Sequence, residues 1–302
     1  MKFPRRDDPK GILDGNPDPT AGPGFGGLLR SFFSKMPWAE HATDEECLVV
    51  PTPPGRAIHL YNANGRTRII GEDREDIEIR IRKSVRADCP DLAAKLLDSI
   101  RLQSSSSADT LEIEVQIPRK CSRHAVAHIE LRVPVDTRVS LGSTNGKICV
   151  EGLERSVRAR SSNGSVSIRE ITGDVEVMTA NAKVTCRCTR GHLRARSSNG
   201  KIEIEGHEGS IEASTSNGII RASVDELGEV GVSLVTSNGR IVLDLPEKPD
   251  VDVDIRVENG HIRNDLELTD VVTDPNGRVR GRIGRGGIPI RLRTSNGTVS
   301  LR

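Results

Sequence analysis

Hydrophobic and polar residues alternate in short segments along the second half of the chain, and the alternation repeats with a fixed length. Residues 161–205 divide into units of nine, each with a turn followed by a run whose sixth and eighth positions are apolar. Val166 and Ile168 form one such pair, and Ile202 and Ile204 form another. Alternation with a period of two predicts β-strands that bury one face. We therefore expect Ile202 and Ile204 to face a core and Glu203, between them, to face water.

The turns of this repeat contain asparagine at regular positions. Stacked short strands with a period of 20 residues or less are typical of a parallel β-solenoid, here with two strands in each coil of about 18 residues. Asparagine and glycine adopt positive φ readily, and stacked asparagine side chains can bond from coil to coil. We expect both properties at this corner. The asparagines are Asn145, Asn163, Asn181, Asn199 and Asn217 at intervals of 18, Asn238 and Asn259 at intervals of 21, and Asn296 near the end.

Three regions are expected along the chain. Residues 1–45 are rich in glycine, proline and charge and are predicted to be disordered. Residues 46–142 contain strand-like segments and one predicted helix that caps the solenoid, and residues 143–302 form the repeat itself. The fold class is therefore all-β, with a single short helix.

The predicted helix lies within ADCPDLAAKLLDSIRL, residues 87–102. Pro90 suits the first turn and Asp88 can serve as the N-cap. The apolar face at helical spacing would consist of Leu92, Leu96, Leu97 and Ile100.

Aromatic residues are unusually scarce and are confined to the beginning of the chain. All six lie at or before Tyr61, and the following 241 residues contain no phenylalanine, tryptophan or tyrosine. Globular cores normally use these large side chains as fillers. A thin core of valine, isoleucine, leucine and alanine, without room for a phenyl ring, explains their absence.

Most of the aromatic residues fall in GFGGLLRSFFSKMPW, residues 24–38. Two interpretations are open for this segment: a short helix that docks on a membrane surface or a partner protein, or a segment that folds back on the body of the protein. The candidate docking residues are Phe25, Leu28, Leu29, Phe32, Phe33 and Trp38.

The charges balance overall, with a formal net charge of +1, which gives no reason to expect nucleic acid as a partner. Arg158, Glu176, Arg194 and Glu212 are 18 residues apart and alternate in sign, so neighbouring coils would pair them.

The C-terminal region departs from this balance, because residues 276–302 contain seven arginines and no acidic residue. These arginines could bind an anionic partner, or could be charges that protect exposed edge strands from pairing. The last strand, TSNGTVSLR, is expected to leave a free edge, so removal of Arg291 and Arg293 would promote end-to-end association. We expect a monomer or a small homo-oligomer. The candidate patch is Arg278, Arg280, Arg282, Arg285, Arg291 and Arg293.

No pattern in the sequence predicts catalysis, a cofactor or a metal site. Phosphate-binding loops, zinc-protease helices and serine-nucleophile motifs are absent from the sequence. Cys121, His124 and His128 are the best metal candidates, but on a strand the two histidines would lie about 13 Å apart. The six cysteines form no CxxC pair and predict free thiols in a reducing compartment. Without an apolar leader or a long apolar run, we expect a cytoplasmic protein that associates with membranes or, alternatively, lies at the cell surface.

Several segments are informative together: YNANGRTRIIGED, DLAAKLLDSI, ELRVPVDTRVSLGSTNG, the SNG repeats and GRIGRGGIPIRLRTSNGTVSLR. With them, roughly residues 48–302 resemble the bacterial putative adhesin family of β-strand-repeat proteins, a domain of unknown function. The resemblance implies a β-solenoid and no known catalytic residues.

The function that these observations favour is a non-enzymatic scaffold or adhesin-like binding protein. One alternative is a self-assembling, bactofilin-like structural polymer whose coils continue between subunits. A polysaccharide-active enzyme is disfavoured, because such grooves usually contain clustered acids and aromatic rings that stack on sugars.

Overall fold

The computed structural model of the chain describes residues 40–118 and 124–302. This part of the chain contains nineteen β-strands and one short helix, so the predicted all-β class is confirmed. In chain order the elements are β1 (Glu40–Pro51), β2 (Ala57–Asn64), β3 (Thr67–Glu72), β4 (Asp76–Ala87), α1 (Pro90–Asp98), β5 (Arg101–Ser106), β6 (Thr110–Gln116), β7 (Ala125–Pro134), β8 (Arg138–Asn145), β9 (Ile148–Leu153), β10 (Val157–Ser161), β11 (Val166–Thr172), β12 (Val175–Thr179), β13 (Val184–Asn199), β14 (Ile202–Asn217), β15 (Ile220–Asp244), β16 (Val251–Asn264), β17 (Thr269–Asp274), β18 (Arg278–Ile283) and β19 (Ile288–Leu301).

Most of the strands pair in parallel with a strand one repeat away. Val157 in β10 lies beside Val139 in β8 and Val175 in β12. Val166 in β11 lies beside Val184 in β13 in the same way. The strands therefore form two walls. The front wall contains β6, β2, β8, β10 and β12, and the back wall contains β7, β3, β9 and β11. The long strands β13, β14, β15, β19 and β16 contribute to both walls, and β18 extends the front wall beyond β16.

Alternate side chains of both walls fill an aliphatic core. Ile202 and Ile204 of β14 are fully buried, and Val175 and Val177 of β12 are buried as well. In the described residues, the largest fully buried side chains are isoleucines and leucines. The predicted inward positions and the predicted thin core without aromatic rings are confirmed.

Glu203 does not face water as predicted. Only 8% of its surface is exposed, because Lys183 and Lys201 both form ion pairs with its carboxylate. Hydrogen bonds from these two lysines hold the pKa of Glu203 below its usual value. Its register alone predicted an outward direction, but the converging lysine side chains cover it.

The spatial order of the strands differs from the chain order at both ends of the stack. The strands β2 and β3 lie between the β6–β7 pair and the β8–β9 pair. The last strand, β19, lies between β15 and β16. The expected free edge at the C-terminal strand is therefore wrong, since β19 is hydrogen-bonded on both sides.

Antiparallel strands pair with the outermost parallel strands at each end. At one end, β5 pairs with β6, β4 pairs with β7, and β1 pairs with β4. At the other end, β18 pairs with residues 251–256 of β16, and β17 pairs with β18. A change from parallel to antiparallel pairing thus interrupts the repeat at both ends.

The helix is shorter than predicted and uses different residues. It spans Pro90–Asp98, with Pro90 in its first turn as expected, but Cys89 is the N-cap and makes no side-chain capping bond. The helix packs against β1 and β4. Its contact face is centred on the buried Ala93, while Leu92 is 42% exposed. Ala93 matches the spacing of Leu96, Leu97 and Ile100 better than Leu92 does, which accounts for the difference.

The corner that contains the asparagines does not require positive φ from them. In the described residues, the non-glycine residues with positive φ are Arg56, Glu170, Cys188, Lys248 and Asp270, so the expectation for the corner asparagines is wrong. Glycine follows asparagine for another reason. A Cβ at Gly200, for example, would lie 2.0 Å from the carbonyl oxygen of Ala182 in the preceding repeat. Close backbone stacking selects glycine at this position.

The predicted boundaries need one adjustment. The strand β1 begins at Glu40, so residues 40–45 belong to a strand rather than to a disordered segment. The proposed docking residues between Phe25 and Trp38 lie outside the described residues. Within residues 40–118 and 124–302, no helix has the length and apolar character needed to cross a bilayer.

Candidate functional site

The outward side chains of the front wall stand in rows that run across the strands. In one row, Arg158 Nε donates to Glu176 Oε2 at 2.6 Å, and Arg194 Nε donates to Glu212 Oε2 at 2.8 Å. These pairs confirm the predicted charge alternation between repeats. Each exposed pair contributes up to about 1 kcal/mol. This part of the front wall is therefore neutralised by its own side chains.

A ladder of asparagine side chains fixes the corner between the two walls. Each amide donates to the asparagine of a neighbouring repeat, with seven bonds of 2.8–3.1 Å in the described residues. Asn296 lies between Asn238 and Asn259 and is hydrogen-bonded to both. The order of the ladder therefore differs from the order of the asparagines in the sequence. The order along the ladder is Asn145, Asn163, Asn181, Asn199, Asn217, Asn238, Asn296 and Asn259.

A second row at this corner, formed by serine and threonine, was missed by the sequence analysis. Thr215, Thr236 and Thr294 each donate a hydroxyl to a corner glycine carbonyl of a neighbouring repeat at 3.4 Å. Ser161 instead accepts from the amide of Gly164 at 3.0 Å. The signal was present in the sequence, since a serine or threonine stands two residues before every asparagine of the ladder apart from Asn259.

The candidate arginine patch divides into paired and unpaired members. Arg278 makes two hydrogen bonds to Asp254, at 2.8 and 2.7 Å, and Arg282 contacts Asp252 at 3.4 Å. Arg285 binds Asp250 through both its backbone amide and its guanidinium. These aspartates lie in or beside β16, outside the segment from which the patch was predicted.

The paired aspartates have shifted acidities. The hydrogen bonds from Arg278 hold the pKa of Asp254 below its usual value despite the opposing effect of burial. The backbone amide of Arg285, followed by its side chain, lowers the pKa of Asp250 in the same way. Both carboxylates therefore stay ionised, and Arg278 and Arg285 remain in ion pairs with them.

The remaining members of the patch are Arg280, Arg291 and Arg293. None of the three forms an ion pair with a carboxylate in the described part of the chain. Arg291 and Arg293 are outward residues of β19, and Arg280 lies on β18. The strand β16 separates β18 from β19, and its Asp254 lies opposite both Arg280 and Arg291. The front wall thus presents three positively charged groups on the two sides of β16 at this end.

At the other end of the front wall lies Tyr61, the single Phe, Trp or Tyr residue in the described part of the chain. It is 43% exposed and points outward from β2. A Cβ at Gly142 of β8 would lie 2.9 Å from Tyr61 Cδ2, so the ring rests directly on this glycine. The Tyr61 hydroxyl is 3.0 Å from Thr144 Oγ1. In the sequence, Tyr61 stands with the other early aromatic residues, and its position on the surface was not predicted.

Tyr61 lines a cleft of about 830 Å³ on the front wall. The cleft reaches from the edge strand β5, through β6 and β2, to β8 and β10. Its polar side chains include His59, Gln103, Glu112, Glu114 and Arg160. This combination of one aromatic surface, acceptors and donors can bind a small polar ligand.

The metal candidates are not brought together by the described structure. His128 Nδ1 accepts a hydrogen bond from the backbone amide of Arg66, and Cys121 lies outside the described residues. In the described part, no group of three or more potential ligands is placed to hold a metal ion. The five described cysteines are free, and burial raises the pKa of Cys186 to about 12.

Several solved structures are similar to the chain at low sequence identity. A putative adhesin from Bacteroides fragilis is 13% identical, with a TM-score of 0.48, and the match covers 86% of this chain and 97% of that one. A putative adhesin from Parabacteroides merdae is 8% identical, with a TM-score of 0.39 and coverage of 86% and 96%. A putative lipid binding protein from Parabacteroides distasonis is 9% identical, with a TM-score of 0.38 and coverage of 86% and 97%.

No curated protein shows significant sequence similarity to the chain. The Toastrack DUF4097 family, in contrast, matches residues 56–302, which include every strand from β2 to β19. The two walls, the asparagine ladder and the front-wall cleft all lie within this match. The chain therefore belongs to the Toastrack DUF4097 family.

Proposed function

We propose that the protein is a non-enzymatic, adhesin-like binding protein in which a parallel β-solenoid of 18-residue, two-strand coils serves as a rigid scaffold. The scaffold holds the outward residues of the front wall at fixed spacings, because each side chain stands one strand spacing, about 4.8 Å, from the next in its row. Rigid presentation reduces the entropy lost when a ligand binds several side chains at once.

The observation that carries this proposal is the group of unpaired arginines on the front wall. Arg280 lies on one side of β16 and Arg291 and Arg293 lie on the other, while Arg278 and Arg282 are paired with aspartates of β16. Three guanidinium groups without an ion pair, spread across neighbouring strands of one wall, suit an extended anionic polymer, whose charges also repeat along its length. We propose such a polymer as the ligand class at this end of the front wall.

Self-assembly into a polymer is less well supported than binding. The antiparallel strands β5, β4 and β1 cover one end of the stack, and β18 and β17 cover much of the other. Continuation of parallel coils from one subunit to the next would require these strands to be displaced. A monomer or small homo-oligomer fits this arrangement better. Docking through residues 25–38 to a membrane or protein and a cytoplasmic location stay predictions.

The binding proposal is tested with two triple variants of the full chain. Arg280→Ser, Arg291→Ser and Arg293→Ser remove the unpaired charges of the front wall. The second variant removes the same amount of charge from the back wall by Arg169→Ser, Arg221→Ser and Arg263→Ser. These three arginines form no ion pair within the described residues. Binding to immobilised polygalacturonate, to poly-L-glutamate and to neutral dextran is measured by biolayer interferometry at two salt concentrations.

We expect the unmodified protein and the second variant to bind at least one of the two anionic polymers, and the front-wall variant to bind neither. Binding should weaken as salt is raised, since salt screens exposed charges. Equal binding by the two variants, or no binding of either anionic polymer by the unmodified protein, would contradict the proposal.

A further inference from the structure

The cleft around Tyr61 lies at the opposite end of the front wall from the unpaired arginines and has a different chemistry. We propose that it is a subsite for one neutral pyranose unit of a glycan, with the ring of Tyr61 as the stacking surface. The inference rests on the proposed binding function, to which it adds a second ligand class at a defined place.

The position of the Tyr61 ring is fixed from two directions. The Cδ2 edge of the ring lies against Gly142, and the hydroxyl at the far end of the ring contacts Thr144, two residues further along β8. These two contacts fix the direction of the ring along β8. Because 43% of the residue is exposed, a face of the ring is open to the cleft. A flat aromatic surface held in this way is preorganised for stacking.

The glycine also creates the space beside the ring. Gly142 lies one strand from Tyr61, and Arg160 lies two strands away in the same row. Two strand spacings, roughly 10 Å, separate the backbone positions of Tyr61 and Arg160. Because Gly142 has no side chain, the Tyr61 ring extends over β8, and the remaining space between the ring and Arg160 is open to a ring-shaped ligand.

The rim of the cleft supplies hydrogen-bonding groups on the other side of the ring. Glu114 lies directly beside Tyr61, and Glu112 lies beside His59 in the neighbouring row. Both glutamates are exposed, and each is within 3.5 Å of only a single neutral donor, Ser105 Oγ for Glu112 and Gln116 Nε2 for Glu114. A carboxylate has about four acceptor positions, so most of theirs stay open for ligand hydroxyl groups.

A pyranose combines the two properties that this cleft selects. Its C–H groups form a weakly positive, apolar face that suits the negative face of an aromatic ring. Its hydroxyl groups can donate to Glu112 and Glu114. A nucleotide would also stack on Tyr61, but the cleft contains two carboxylates, Glu112 and Glu114, against one guanidinium, Arg160, so its net negative charge disfavours a phosphate. The observations therefore favour a neutral sugar.

Four single variants of the full chain test the assignment. Tyr61→Ala removes the stacking surface, and Tyr61→Phe keeps the ring while removing the bond to Thr144. Gly142→Ala places a methyl group against Tyr61 and moves the ring. Val235→Ala is the matched control, since Val235 is also an outward front-wall residue and is 40% exposed. Circular dichroism checks that each variant is folded.

The probes are cellohexaose, β-1,4-linked mannohexaose and chitohexaose, with AMP as the anionic alternative. Titration calorimetry gives affinities, and saturation-transfer NMR identifies the sugar protons that contact the protein. At least one hexasaccharide should bind, and Tyr61→Ala should weaken it by about tenfold or more. Gly142→Ala should weaken it as well, while Tyr61→Phe and Val235→Ala should change the affinity by less than about twofold.

Absence of binding by all three hexasaccharides overturns the inference, as does binding that survives Tyr61→Ala. Binding of AMP alone, lost in Tyr61→Ala, would replace the sugar with a nucleotide and overturn it too. The front-wall triple arginine variant separates this inference from the proposed function. It should keep hexasaccharide binding, and an unmodified protein that binds polyanions but no hexasaccharide would contradict only the Tyr61 subsite.

Discussion

The side-chain amide of Asn296 donates to Asn238 Oδ1 at 2.8 Å, although 58 residues separate the two along the chain. This bond places the last strand in the interior of the stack, next to β15. Residues 245–287, which include all of β16, β17 and β18, are inserted between β15 and β19 in the chain, and β16 pairs with the side of β19 that faces away from β15. The end of the chain is therefore held between two strands, and its backbone groups are hydrogen-bonded on both sides.

This topology predicts that Arg291 and Arg293 do not control assembly. The double variant Arg291→Ser/Arg293→Ser should keep the oligomeric state of the unmodified protein, because both residues lie on the face of the front wall rather than at an open edge. Size-exclusion chromatography with light scattering at low and high salt measures the oligomeric state.

Deletion of residues 288–302 is the contrasting variant. It leaves β15 and β16 with unpaired edges, and we expect aggregation or loss of the folded state. Filaments formed by the double variant, or an unaffected deletion variant, would show that β19 is not enclosed as the structure has it.

The sequence predicted local features of this fold well and its spatial order less well. A period of two determines which side chains face the core, so Val175, Val177, Ile202 and Ile204 were placed correctly. The order of repeats is harder to predict, because every SNG corner can stack on every other one. The interval of 37 residues between Asn259 and Asn296 was the available sign of an insertion.

The candidate site could be predicted only in part from the sequence, again because the sequence does not show which strands are neighbours. The arginines near the C-terminus were evident, but the aspartates that pair with three of them come from another strand. The VDVD alternation in β16 and the RVRGR alternation in β18 would have indicated this pairing if read as an antiparallel hairpin. Tyr61 could be recognised as an aromatic residue at an outward position, but its contact with Gly142 depends on which strands are neighbours.

Each repeat has a second bend, opposite the asparagine corner, where the chain passes from the back wall to the front wall. This bend predicts a stabilising substitution. Glu170 and Cys188 have φ of 53° and 51°, and Gly152 and Gly206 occupy the equivalent positions with φ of 73° and 62°. A side chain in this left-handed region costs about 1 kcal/mol or more. Cys188→Gly should therefore raise the free energy of unfolding by about 1 kcal/mol, measured by urea denaturation.

Ala182→Gly serves as the control, because Ala182 follows a corner asparagine but has no positive φ. Here glycine increases the entropy of the unfolded chain without relieving strain, and stability should fall by about 0.4–1 kcal/mol. Gly200→Ala should also destabilise, since its Cβ would meet the Ala182 carbonyl oxygen. Stabilisation by Ala182→Gly, with no gain from Cys188→Gly, would reverse the assignment of the two bends.

Loss of the Glu203 charge in the back wall should lower the free energy of unfolding by a measurable amount. Glu203→Gln removes the negative charge to which Lys183 and Lys201 both bind. We expect a loss of about 1 kcal/mol at pH 7, because hydrogen bonds to charged groups are stronger than neutral ones and the lysines are partly exposed. Glu205→Gln is the control, since Glu205 is 46% exposed and pairs with Arg187 alone.

The same pair of variants has a predicted pH dependence. The folded-state pKa of Glu203 is lowered, so its stabilising effect is full above its unfolded pKa, near 4.5, and is lost as pH falls through the lower folded-state value. The difference in unfolding free energy between Glu203→Gln and the unmodified protein should therefore shrink below pH 4.5. A difference that is constant with pH would show that the carboxylate charge is unimportant.

His207 predicts that the protein loses stability in mildly acidic solution. It is fully buried, with Nδ1 2.9 Å from Thr189 Oγ1 and Nε2 3.3 Å from the Ser210 carbonyl oxygen. Burial lowers the pKa of His207 below 6.5. The unfolded chain thus takes up a proton first as pH falls below 6.5, and stability declines from there until the lower folded-state pKa is passed.

The double variant Thr189→Val/His207→Val removes the buried imidazole and its hydroxyl partner together. Its urea midpoint should change less between pH 7 and pH 5 than that of the unmodified protein. The pKa of His128 is also lowered by burial, with smaller effects from Arg82 and Arg66, so His128→Gln gives the contribution of that more exposed residue. If the double variant keeps the full pH dependence and His128→Gln removes it, the acid sensitivity belongs to His128 rather than to the core.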